Sequence, residues 1–366
     1  MPTPLYRWTN LPALSLEGDP KLMAHWDLLN AARGDLPFLA GRAICTALRT
    51  LGQGEERLLV GSQGDDVVAM FLLLPQDKFR WHTFQPSQLP LGAWVAAAHL
   101  PLDQLARSLL RGPLGFCLAL SITQVDPHVA PRTPDLADNH HSDYIDTGWI
   151  DLKGSFDEYW GERGKNLRQN MRKQRVKLAA DGVKLSLQVL RDHADMAPAV
   201  ARYGRMESAG WKAQQGTAIH PDNAQGRYYR ELLEQASLSG EAVVYEYLFD
   251  ERVVAMNLCL ARKDVLIVLK TTYDESIQSL SPAFLLREAE LQELFAQGQI
   301  RRLEYFGRLM DWHTKWTDQK RSLYHLTQYR WPFLKRLAQA RRRRADSASE
   351  AAATDSPVAT TTRSSE

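Results

Sequence analysis

Cysteine is scarce in this sequence. Only three of the 366 residues are cysteines, and Cys45, Cys117 and Cys259 lie far apart without forming a CxxC pair. An odd number of isolated cysteines argues against a disulfide framework, and the missing pairs argue against a structural zinc site. The composition therefore predicts a protein of the reducing cytoplasm.

Long apolar runs are also missing. The most apolar stretches, 67–74 and 91–102, are shorter than the ~18 residues that a membrane span requires. The first ten residues contain one Arg and two Pro and no apolar core, so they do not resemble a secretory signal. We expect a soluble chain with no membrane span.

Charge of one sign is not in excess either. Lys and Arg total 45 against 43 Asp and Glu, which gives a formal charge of +2. A chain without a global basic excess does not match a protein that wraps nucleic acid, so we do not expect nucleic acid as a partner. A local basic patch remains compatible with binding of an anion.

Several catalytic motifs are missing as well. The sequence contains no GxSxG, HExxH, Walker or Rossmann glycine motif, which argues against serine hydrolase, zinc protease, P-loop and dehydrogenase chemistry. His140, His141 and Asp143 lie together in loop-like sequence, but histidine clusters in loops rarely hold a metal. We expect no metal site.

The chain length and the predicted helices and strands indicate two α/β units. The length is roughly 2.4 times the ~150 residues of a typical domain, and we place the boundary near residue 150. In the first unit, 1–150, the pattern predicts helices at 24–33, 39–51 and 102–110 and strands at 57–61, 67–74, 80–85, 114–123 and 144–152. Residues 126–143 have the composition of a loop.

The second unit, 151–331, has a more informative order. After a long helix at 155–180, capped by Ser155 and Glu158, the pattern predicts the order β-α-α-β-β-β-α-β-(α)-β. Pro282 and Gly298 mark the ends of its last long helix. The predicted strands are 183–190, 242–249, 252–261, 265–273, 300–306 and 322–331, the second to fourth forming an antiparallel meander, and the predicted helices are 193–209, 223–238 and 282–296.

The C-terminal end has a different composition. A short helix at 332–344 ends in four arginines, 341–344, which suit either a solvated helix end or an anionic lipid or nucleic acid. Residues 345–366 contain no aromatic residue, Leu or Ile. Because such a segment cannot bury enough apolar surface to order itself, we expect a disordered tail there.

The predicted helix at 155–180 combines an apolar stripe with a basic face. Between residues 163 and 177 there are seven basic residues and no acidic one. The basic face is either an ordinary solvated surface or an anion-binding face for a phosphate-bearing substrate, a carrier or RNA. The side chains predicted to oppose the apolar stripe are Lys165, Arg168, Arg172 and Arg175.

A strand, a loop and a helix at 265–296 predict a phosphate site. The strand ends at Tyr273, the loop 274–280 follows, and Pro282 opens the helix. Free backbone N–H groups then meet the positive end of the helix dipole, which attracts a pyrophosphate. The candidate phosphate-binding residues are Ser279, Leu280, Ser281, Pro282 and Ala283.

Three segments carry a resemblance to a known family. They are Trp211-Lys212 after a glycine and leading to 216–219, the run 269–275, and Ser281-Pro282 at a helix start. Together, over about 150–331, they resemble the CelD-type (cellulose-biosynthesis acetyltransferase-like) family of GNAT-fold acyltransferases, which is related to FemAB-type transferases. The first unit resembles the N-terminal region of that family more loosely.

The resemblance implies an α/β fold of tandem GNAT-like domains, with mixed, mostly antiparallel sheets flanked by helices, the first domain being degenerate. It implies transfer of an acyl group, acetyl in the first place, from acyl-CoA to an amine or hydroxyl of a saccharide or small metabolite in exopolysaccharide or cellulose biosynthesis. Two alternatives are open: FemAB-type transfer from aminoacyl-tRNA, and a non-catalytic accessory protein of polysaccharide biosynthesis.

The candidate phosphate loop departs from the family pattern. It contains no glycine, and Ala283 stands where the family usually has glycine after Ser-Pro. Glycine lets a backbone approach a phosphate closely. Acyl-CoA, another activated donor such as aminoacyl-tRNA, and loss of donor binding are therefore all left open.

Acyl transfer requires a base, an oxyanion donor and an acid for the leaving thiolate. Asp274 and Asp311 follow strands that flank the expected cleft, so they are the candidate bases, with Glu246 a weaker one. The resemblance implies a backbone N–H of the strand 265–273 as the oxyanion donor. Helix caps and ordinary packing are the alternatives for these side chains. The candidate acids are Tyr324, Tyr273 and Tyr305.

Lys270 is a candidate substrate contact. It is the single cation of an otherwise apolar strand, and a cation there requires a partner or a cleft to face. A salt bridge to Asp274 or Glu246 is the alternative. Trp211, Lys212 and Tyr273 complete the candidate substrate-binding residues. Trp312 and Trp316 are four residues apart, so we expect them in the core rather than in a sugar-stacking platform.

Overall fold

The computed structural model describes residues 6–209, 219–220 and 222–354, with side chains as far as residue 344. Within these residues the strands are β1 (Arg7–Pro12), β2 (Arg57–Gln63), β3 (Asp66–Asp77), β4 (Arg80–Thr83), β5 (Trp94–Ala96), β6 (Ala119–Val125), β7 (Asn139–Asp151), β8 (Leu185–Leu190), β9 (Ala242–Phe249), β10 (Arg252–Arg262), β11 (Val265–Tyr273), β12 (Arg302–Tyr305) and β13 (Lys320–Tyr329). The α-helices are α1 (Ser15–Gly18), α2 (Pro20–Ala32), α3 (Gly41–Leu51), α4 (Leu102–Arg111), α5 (Phe156–Glu162), α6 (Lys165–Ala180), α7 (His193–Ser208), α8 (Ala224–Ser237), α9 (Pro282–Gln297) and α10 (Pro332–Thr354).

The strands form one mixed sheet. Their order is β1-β2-β3-β4-β6-β13-β7-β12-β11-β10-β9-β8, and β5 pairs with β3. Among the described pairs only β4 with β6 and β11 with β12 are parallel. The meander predicted for β9, β10 and β11 is confirmed. The predicted α/β fold, with mixed and mostly antiparallel strands flanked by helices, is confirmed, and its two halves share a single sheet.

Successive strand residues face two helical layers, because side chains alternate along a strand. On β3, Met70 and Leu72 belong to a core with α2, α3, α7 and α8, whereas Phe71 belongs to a core with α4. On β9, Val244 belongs to the first of these cores, and Tyr245 belongs to a third core with α5, α6 and α9. On one face of the sheet, a single helical layer packs against both halves. On the other face, α4 packs against the first half, and α5, α6 and α9 pack against the second half.

Strand β13 joins the two halves. It pairs antiparallel with β6 on one side and with β7 on the other, where Leu326 lies opposite Ile122 and His141. β7 in turn pairs with β12. The last strand of the chain therefore lies in the middle of the sheet, between two strands of the first half. The domain boundary near residue 150 coincides with the end of β7 and stays a prediction.

A buried ion-pair network begins at Arg321 of β13. Its Nε lies 2.9 Å from Oδ2 of Asp126, and its Nη1 lies 2.9 Å from Oε2 of Glu304. All three side chains are at most 8% exposed. The guanidinium also lies over the rings of Trp149 and Phe306. Asp126 follows β6, Glu304 belongs to β12 and Arg321 belongs to β13. The network therefore links the first half to the second.

Glu304 should make the stability of the fold depend on pH. Burial raises the pKa of its carboxyl from 4.5 to about 7, against the opposing effect of Arg321, while Asp126 raises the pKa further and Arg302 lowers it. A carboxyl with a raised folded-state pKa contributes stability below its unfolded pKa and loses that contribution as the pH rises through its folded pKa. Between about pH 4.5 and 7, we expect the free energy of unfolding of the wild type to fall relative to that of Glu304→Gln. Urea unfolding at several pH values measures this, and parallel curves for the two proteins would contradict it.

Three predicted segments differ from the structure. The helix predicted at 155–180 is two helices, because Gly164 takes a non-helical conformation, with φ −54° and ψ 137°, as the N-cap of α6. The loop predicted at 126–143 ends early, since β7 begins at Asn139 and its backbone pairs with β13. The strand predicted at 114–123 begins only at Ala119.

The predicted tail differs as well. Helix α10 continues past the predicted end at 344 to Thr354. Residues 345–354 are rich in alanine, which has the highest helix propensity of all residues although it adds little hydrophobicity. The remaining part of the predicted tail, 355–366, lies outside the described residues. No helix within the described residues combines the length and the apolar character needed to cross a bilayer.

Candidate active site

Strands β11 and β12 diverge within the sheet. Their parallel pairing covers four positions and ends where Val268 lies opposite Tyr305. β12 stops at this point, while β11 continues to Tyr273. The two strands therefore leave a gap beyond their last paired residues, and the carboxyl ends of parallel strands are where α/β sheets bind ligands.

A β-bulge lies in β11 at the start of this gap. On β10, Leu258 lies opposite Lys270 and the adjacent Cys259 lies opposite Val268, so Leu269 has no partner position on that strand. Leu269 also lies beyond the pairing with β12. Leu269 therefore has no register partner on either neighbouring strand of the described sheet. Bulges of this kind are frequent beside active sites, where they redirect the backbone.

A cavity of about 470 Å³ opens beside the bulge, between the two halves of the chain. Its walls carry several polar side chains and two cations. The first half contributes Gln85, Gln124 and Tyr144, and the second half contributes Tyr229, Lys270 and Arg308. Gln124 has a left-handed backbone conformation, with φ +48°, and Tyr144 comes from β7 next to the sheet centre. Sequence reasoning missed these first-half residues because they carry no local signal.

Lys270 is half-buried in the wall of this cavity. Its ammonium lies 5.8 Å from the centre of the Tyr229 ring, which is within cation–π range. The two carboxylates considered as its salt-bridge partners both contact arginines. Arg202 Nε donates to Glu246 Oε1 over 2.9 Å, and Arg252 pairs with Asp274. Lys270 therefore lies in the cavity wall, where its charge can act on a bound ligand.

Asp274 lies away from that cavity. Its side chain caps the short 3₁₀ helix Glu275–Leu280, accepting hydrogen bonds from the backbone N–H of Ser276 over 3.0 Å and from the Ser276 hydroxyl. Desolvation raises the pKa of Asp274, but the Ser276 hydrogen bonds and the Arg252 guanidinium outweigh it and hold the pKa below its usual range. Asp274 lines a separate cavity of about 600 Å³ together with Arg202. A carboxylate stabilised in this way is a weak base, so its placement favours the helix-cap alternative.

The other proposed catalytic side chains, Asp311 and Tyr324, do not line that cavity either. Asp311 is exposed, and its carbonyl accepts a hydrogen bond from the Thr314 hydroxyl. Tyr324 is 2% exposed in the core beneath α4, and its hydroxyl donates to the carbonyl of Ala130 over 2.8 Å. Burial raises the pKa of the Tyr324 phenol. The structure does not bring Asp274, Asp311 and Tyr324 together, and the engaged hydroxyl of Tyr324 argues against its role as an acid.

The two further tyrosines considered as acids belong to the core of the second half. Tyr305 is buried, and burial raises the pKa of its phenol. Tyr273 is half-buried, and burial, followed by the charge of Glu275, raises the pKa of its phenol. The predicted substrate contacts Trp211 and Lys212 lie outside the described residues.

The strand–loop–helix at the candidate phosphate site is present. Ser281 has a left-handed conformation, with φ +56° and ψ 47°, and Pro282 is the first residue of α9. The N–H groups of Phe284 and Leu285 donate to the Ser281 carbonyl over 3.0 and 3.1 Å, and Pro282 has no N–H. The helical geometry leaves the N–H of Ala283 without an intrahelical acceptor. The loop therefore offers a phosphate fewer backbone donors than a glycine-rich loop would.

Helix α6 lies beside this loop. Asn170 Nδ2 lies 3.3 Å from Ser281 Oγ, and Gln174 Nε2 donates to the carbonyl of Ser279 over 3.0 Å. Because successive helical residues are about 100° apart, Lys173 and Lys177 project from the same side of α6 as Asn170. Both lysines are exposed. Two cations therefore flank the candidate phosphate loop.

One residue of the predicted basic face is placed differently from the expectation. Arg175 pairs with Glu288 of α9, whose side chain is 3% exposed. Its guanidinium therefore belongs to the contact between α6 and α9 instead of the solvated face. Lys165 and Arg172 are exposed on the side of α6 opposite the core.

The tryptophans 312 and 316 and the histidines 140 and 141 make contacts within the fold. Trp316 is 1% exposed and Trp312 packs against the same core, as predicted. His140 and His141 both contact Asp135, with Nδ1 to carboxylate distances of 2.7 and 2.8 Å. No cluster of potential metal ligands occurs among the residues that the structure describes.

Comparison with known proteins gives one matching domain family and several solved structures of similar fold. Residues 165–308 match the model of the acetyltransferase (GNAT) domain. No curated protein matches the chain.

Among solved structures, FemX is 9% identical, with a TM-score of 0.55, and the match covers 86% of this chain and 98% of FemX. The C-terminal domain (DUF2156) of a putative lysylphosphatidylglycerol synthetase from Agrobacterium fabrum is 14% identical, with a TM-score of 0.51, over 84% of this chain and 91% of that one. A conserved protein of unknown function from Bacteroides thetaiotaomicron is 10% identical, with a TM-score of 0.52, over 83% and 96%. At such identities the likeness is one of fold. Residues 165–308 therefore match an acetyltransferase (GNAT) domain, and the first half of the chain completes the larger sheet in which they lie.

Proposed function

We propose that this protein transfers an acyl group from an acyl-CoA to an amine or hydroxyl of an acceptor bound in the 470 Å³ cavity. The observation that supports this most directly is the β-bulge at Leu269, which lies where β11 and β12 diverge and beside that cavity. A peptide N–H that a bulge turns away from its neighbouring strand can donate to the oxyanion that forms when a nucleophile attacks a thioester carbonyl. The leaving group of this reaction is the coenzyme A thiolate.

The phosphate end of the donor would bind at the start of α9. The loop supplies Ser279 and Ser281 hydroxyls and the N–H of Ala283, and α6 supplies Lys173 and Lys177. These side-chain cations compensate for the missing glycines, because an ammonium reaches a phosphate without close backbone approach. Asp274 directly follows β11 and lies four residues, about 13 Å of extended chain, from Lys270, so the strand connects the cavity with the loop.

The acceptor end fits a polar molecule. Gln85, Gln124 and Tyr144 offer hydrogen-bond donors and acceptors to hydroxyl groups, and Lys270 and Arg308 offer charge. This supports a saccharide or another polar metabolite as acceptor. A CelD-type role in exopolysaccharide or cellulose biosynthesis is part of the proposal and rests on the resemblance of segments 269–275 and Ser281-Pro282. Trp211 and Lys212 remain proposed substrate contacts. The three cysteines are free and buried, which supports the proposed cytoplasmic location.

Acetyl-CoA should stabilise the protein. At a concentration ~100 times its dissociation constant, a ligand that binds only the folded state raises the free energy of unfolding by ~2.7 kcal/mol. We expect a matching rise in melting temperature with acetyl-CoA, and a smaller rise with dephospho-CoA, which lacks one phosphate. Calorimetry and thermal melts measure both. An unchanged melting temperature with acetyl-CoA and longer acyl-CoA thioesters at millimolar concentration would overturn the donor assignment, and binding without turnover of any acceptor would favour an accessory protein.

The two lysines of α6 should contribute to donor binding. We expect Lys173→Gln with Lys177→Gln to weaken acetyl-CoA binding roughly threefold to thirtyfold, because two exposed ion pairs with phosphate are lost, and to flatten its salt dependence. The matched control is Lys165→Gln with Arg172→Gln, on the side of α6 away from the loop. Titration calorimetry at two salt concentrations compares the pairs. Equal affinities of both variants and the wild type would remove α6 from the donor site.

The same two variants separate the second candidate function, transfer from aminoacyl-tRNA. The observation that favours it is the exposed basic surface of α6, which includes Lys165 and Arg172 as well as the two lysines by the loop. A polyanion that lies along the helix contacts all of these cations. Under this alternative both double variants should lose affinity for tRNA to a similar extent. Acetyl-CoA should then change the melting temperature of neither the variants nor the wild type.

A further inference from the structure

An exposed aromatic patch lies where β4 and β6 begin and β13 ends, around the start of α10. Its large side chains are 39% to 60% exposed. Neighbouring ring centres are 6.1 Å apart for Phe79 and Phe116, 6.0 Å for Phe116 and Trp331, and 5.8 Å for Trp331 and Phe333. Leu337 follows Phe333 one helical turn later. The aromatic patch consists of Phe79, Phe116, Trp331, Phe333 and Leu337.

Cations surround the aromatic patch. The Arg330 guanidinium lies 5.5 Å from the Phe116 ring and 5.9 Å from the Trp331 ring, and Lys78 Nζ lies 5.5 Å from the Phe79 ring. The four arginines 341–344 follow Leu337 along α10, and all four are exposed. Of the nearby carboxylates, Asp77 pairs with Arg80 and Asp135 pairs with Lys335. The surface around the patch is therefore strongly basic although the whole chain is nearly neutral.

A cavity of about 640 Å³ opens beside the aromatic patch, between α10 and the sheet. Phe79, Leu334 and Leu337 line it with apolar surface, and Arg341 and Arg342 line it with positive charge. Such a space accepts a ligand with an apolar part and an anionic part. A phospholipid has both parts, because its acyl chains are joined to a phosphate headgroup.

We propose that the aromatic patch docks this protein onto the surface of a membrane that contains anionic lipids. Contiguous exposed apolar side chains are uncommon on proteins without a partner for them. Aromatic rings favour the headgroup boundary of a bilayer, where Trp331 and the phenylalanines leave water, and adjacent arginines bind lipid phosphates. Phe333 and Leu337 of the patch lie on the same helix as the arginine run, and Arg341 follows Leu337 by one helical turn, so the patch and the run reach the same bilayer surface.

The arrangement of the rings favours a membrane over RNA. Base stacking requires an open ring face, but Trp331 and Phe333 stack on each other with an angle of 13° between their planes. Phe79 and Phe116 pack edge to face at 82°. Leu337 is aliphatic and contributes nothing to stacking. A bilayer accepts all five side chains, whereas a nucleic acid uses the arginines alone.

Co-sedimentation of the full chain with lipid vesicles tests the proposal. We expect sedimentation with vesicles of phosphatidylcholine mixed with phosphatidylglycerol, little with phosphatidylcholine alone, and a decrease as salt is added. Two variants should each reduce the vesicle-bound fraction about tenfold or more. The first is the double variant Phe116→Ser with Phe333→Ser. The second replaces the four arginines, as Arg341→Gln, Arg342→Gln, Arg343→Gln and Arg344→Gln. The matched control is Leu28→Ser with Leu238→Ser, two leucines that are each 68% exposed elsewhere, and it should bind like the wild type. Melting temperatures check that each variant is folded.

A second measurement uses the wild-type fold. Lipids brominated on their acyl chains should quench part of the tryptophan fluorescence in anionic vesicles, and Trp331→Phe should remove that part. Absence of sedimentation with anionic vesicles at low salt would overturn the proposal. So would equal vesicle binding of the patch variants and the wild type. Binding to a single-stranded RNA oligonucleotide that the arginine variant abolishes, without vesicle binding, would instead assign the surface to RNA.

Discussion

Replacing Arg321 with Met should lower the free energy of unfolding by about 3–5 kcal/mol. The substitution keeps most of the side-chain length but removes the guanidinium that contacts both Asp126 and Glu304. These carboxylates are 2% and 8% exposed, and a buried charge that loses its partner cannot be solvated by water. Unfolding in urea, followed by circular dichroism, measures the change.

Two further variants test the reason for this loss. In Arg321→Met combined with Asp126→Asn and Glu304→Gln, the carboxylates are neutral, so part of the lost stability should return. Arg80→Met breaks an exposed ion pair with Asp77, whose side chain is 40% exposed, and should cost under about 1 kcal/mol. A loss below about 1 kcal/mol for Arg321→Met would contradict the importance of the network.

Lys270→Met should reduce kcat/KM for acyl transfer roughly 10- to 150-fold, the cost of one lost hydrogen bond to a charged group. The side chain lines the cavity between the halves and lies over Tyr229, so its ammonium reaches a bound donor or acceptor. Methionine keeps the length and apolar character, and the stability should change by under about 1 kcal/mol because the lysine is only half-buried. Steady-state kinetics and thermal melts measure the two effects.

The matched control for Lys270 is Lys184→Met. Lys184 is exposed before β8, at the opposite edge of the sheet from the first half, and its replacement should leave kcat/KM unchanged. Strong destabilisation of Lys270→Met, with normal ligand affinity in the folded fraction, would show that the lysine is a structural ion-pair partner instead.

The elements that local chemistry defines could be predicted from the sequence. Ser155 and Glu158 form the capping box of α5, and α9 begins at Pro282 and ends before Gly298. The antiparallel meander follows from short polar breaks between apolar runs. The break within the predicted helix at 155–180 could not be predicted with the same certainty, because Gly164 is tolerated inside a helix at a modest cost.

The candidate site could be predicted only where it lies on one segment. The apolar context of Lys270 and the strand–loop–helix around Ser281 are local features, and both were found. Tyr144 and Gln124 reach the cavity through pairings with β13, whose partners lie far away in the sequence. Tyr324 is a candidate acid by residue type alone, but its strand is inserted in the first half, which turns the ring into the core beneath α4.

The insertion of β13 also sets an order for the synthesis of the molecule. When a ribosome has released the chain as far as residue 319, β6 and β7 are complete but lack the strand that lies between them. Their facing backbone groups have no permanent partner until β13, residues 320–329, emerges, and contacts of such long sequence separation form slowly. The nascent first half must therefore wait in an incomplete state, and exposed strand edges in that state are open to pairing with other chains.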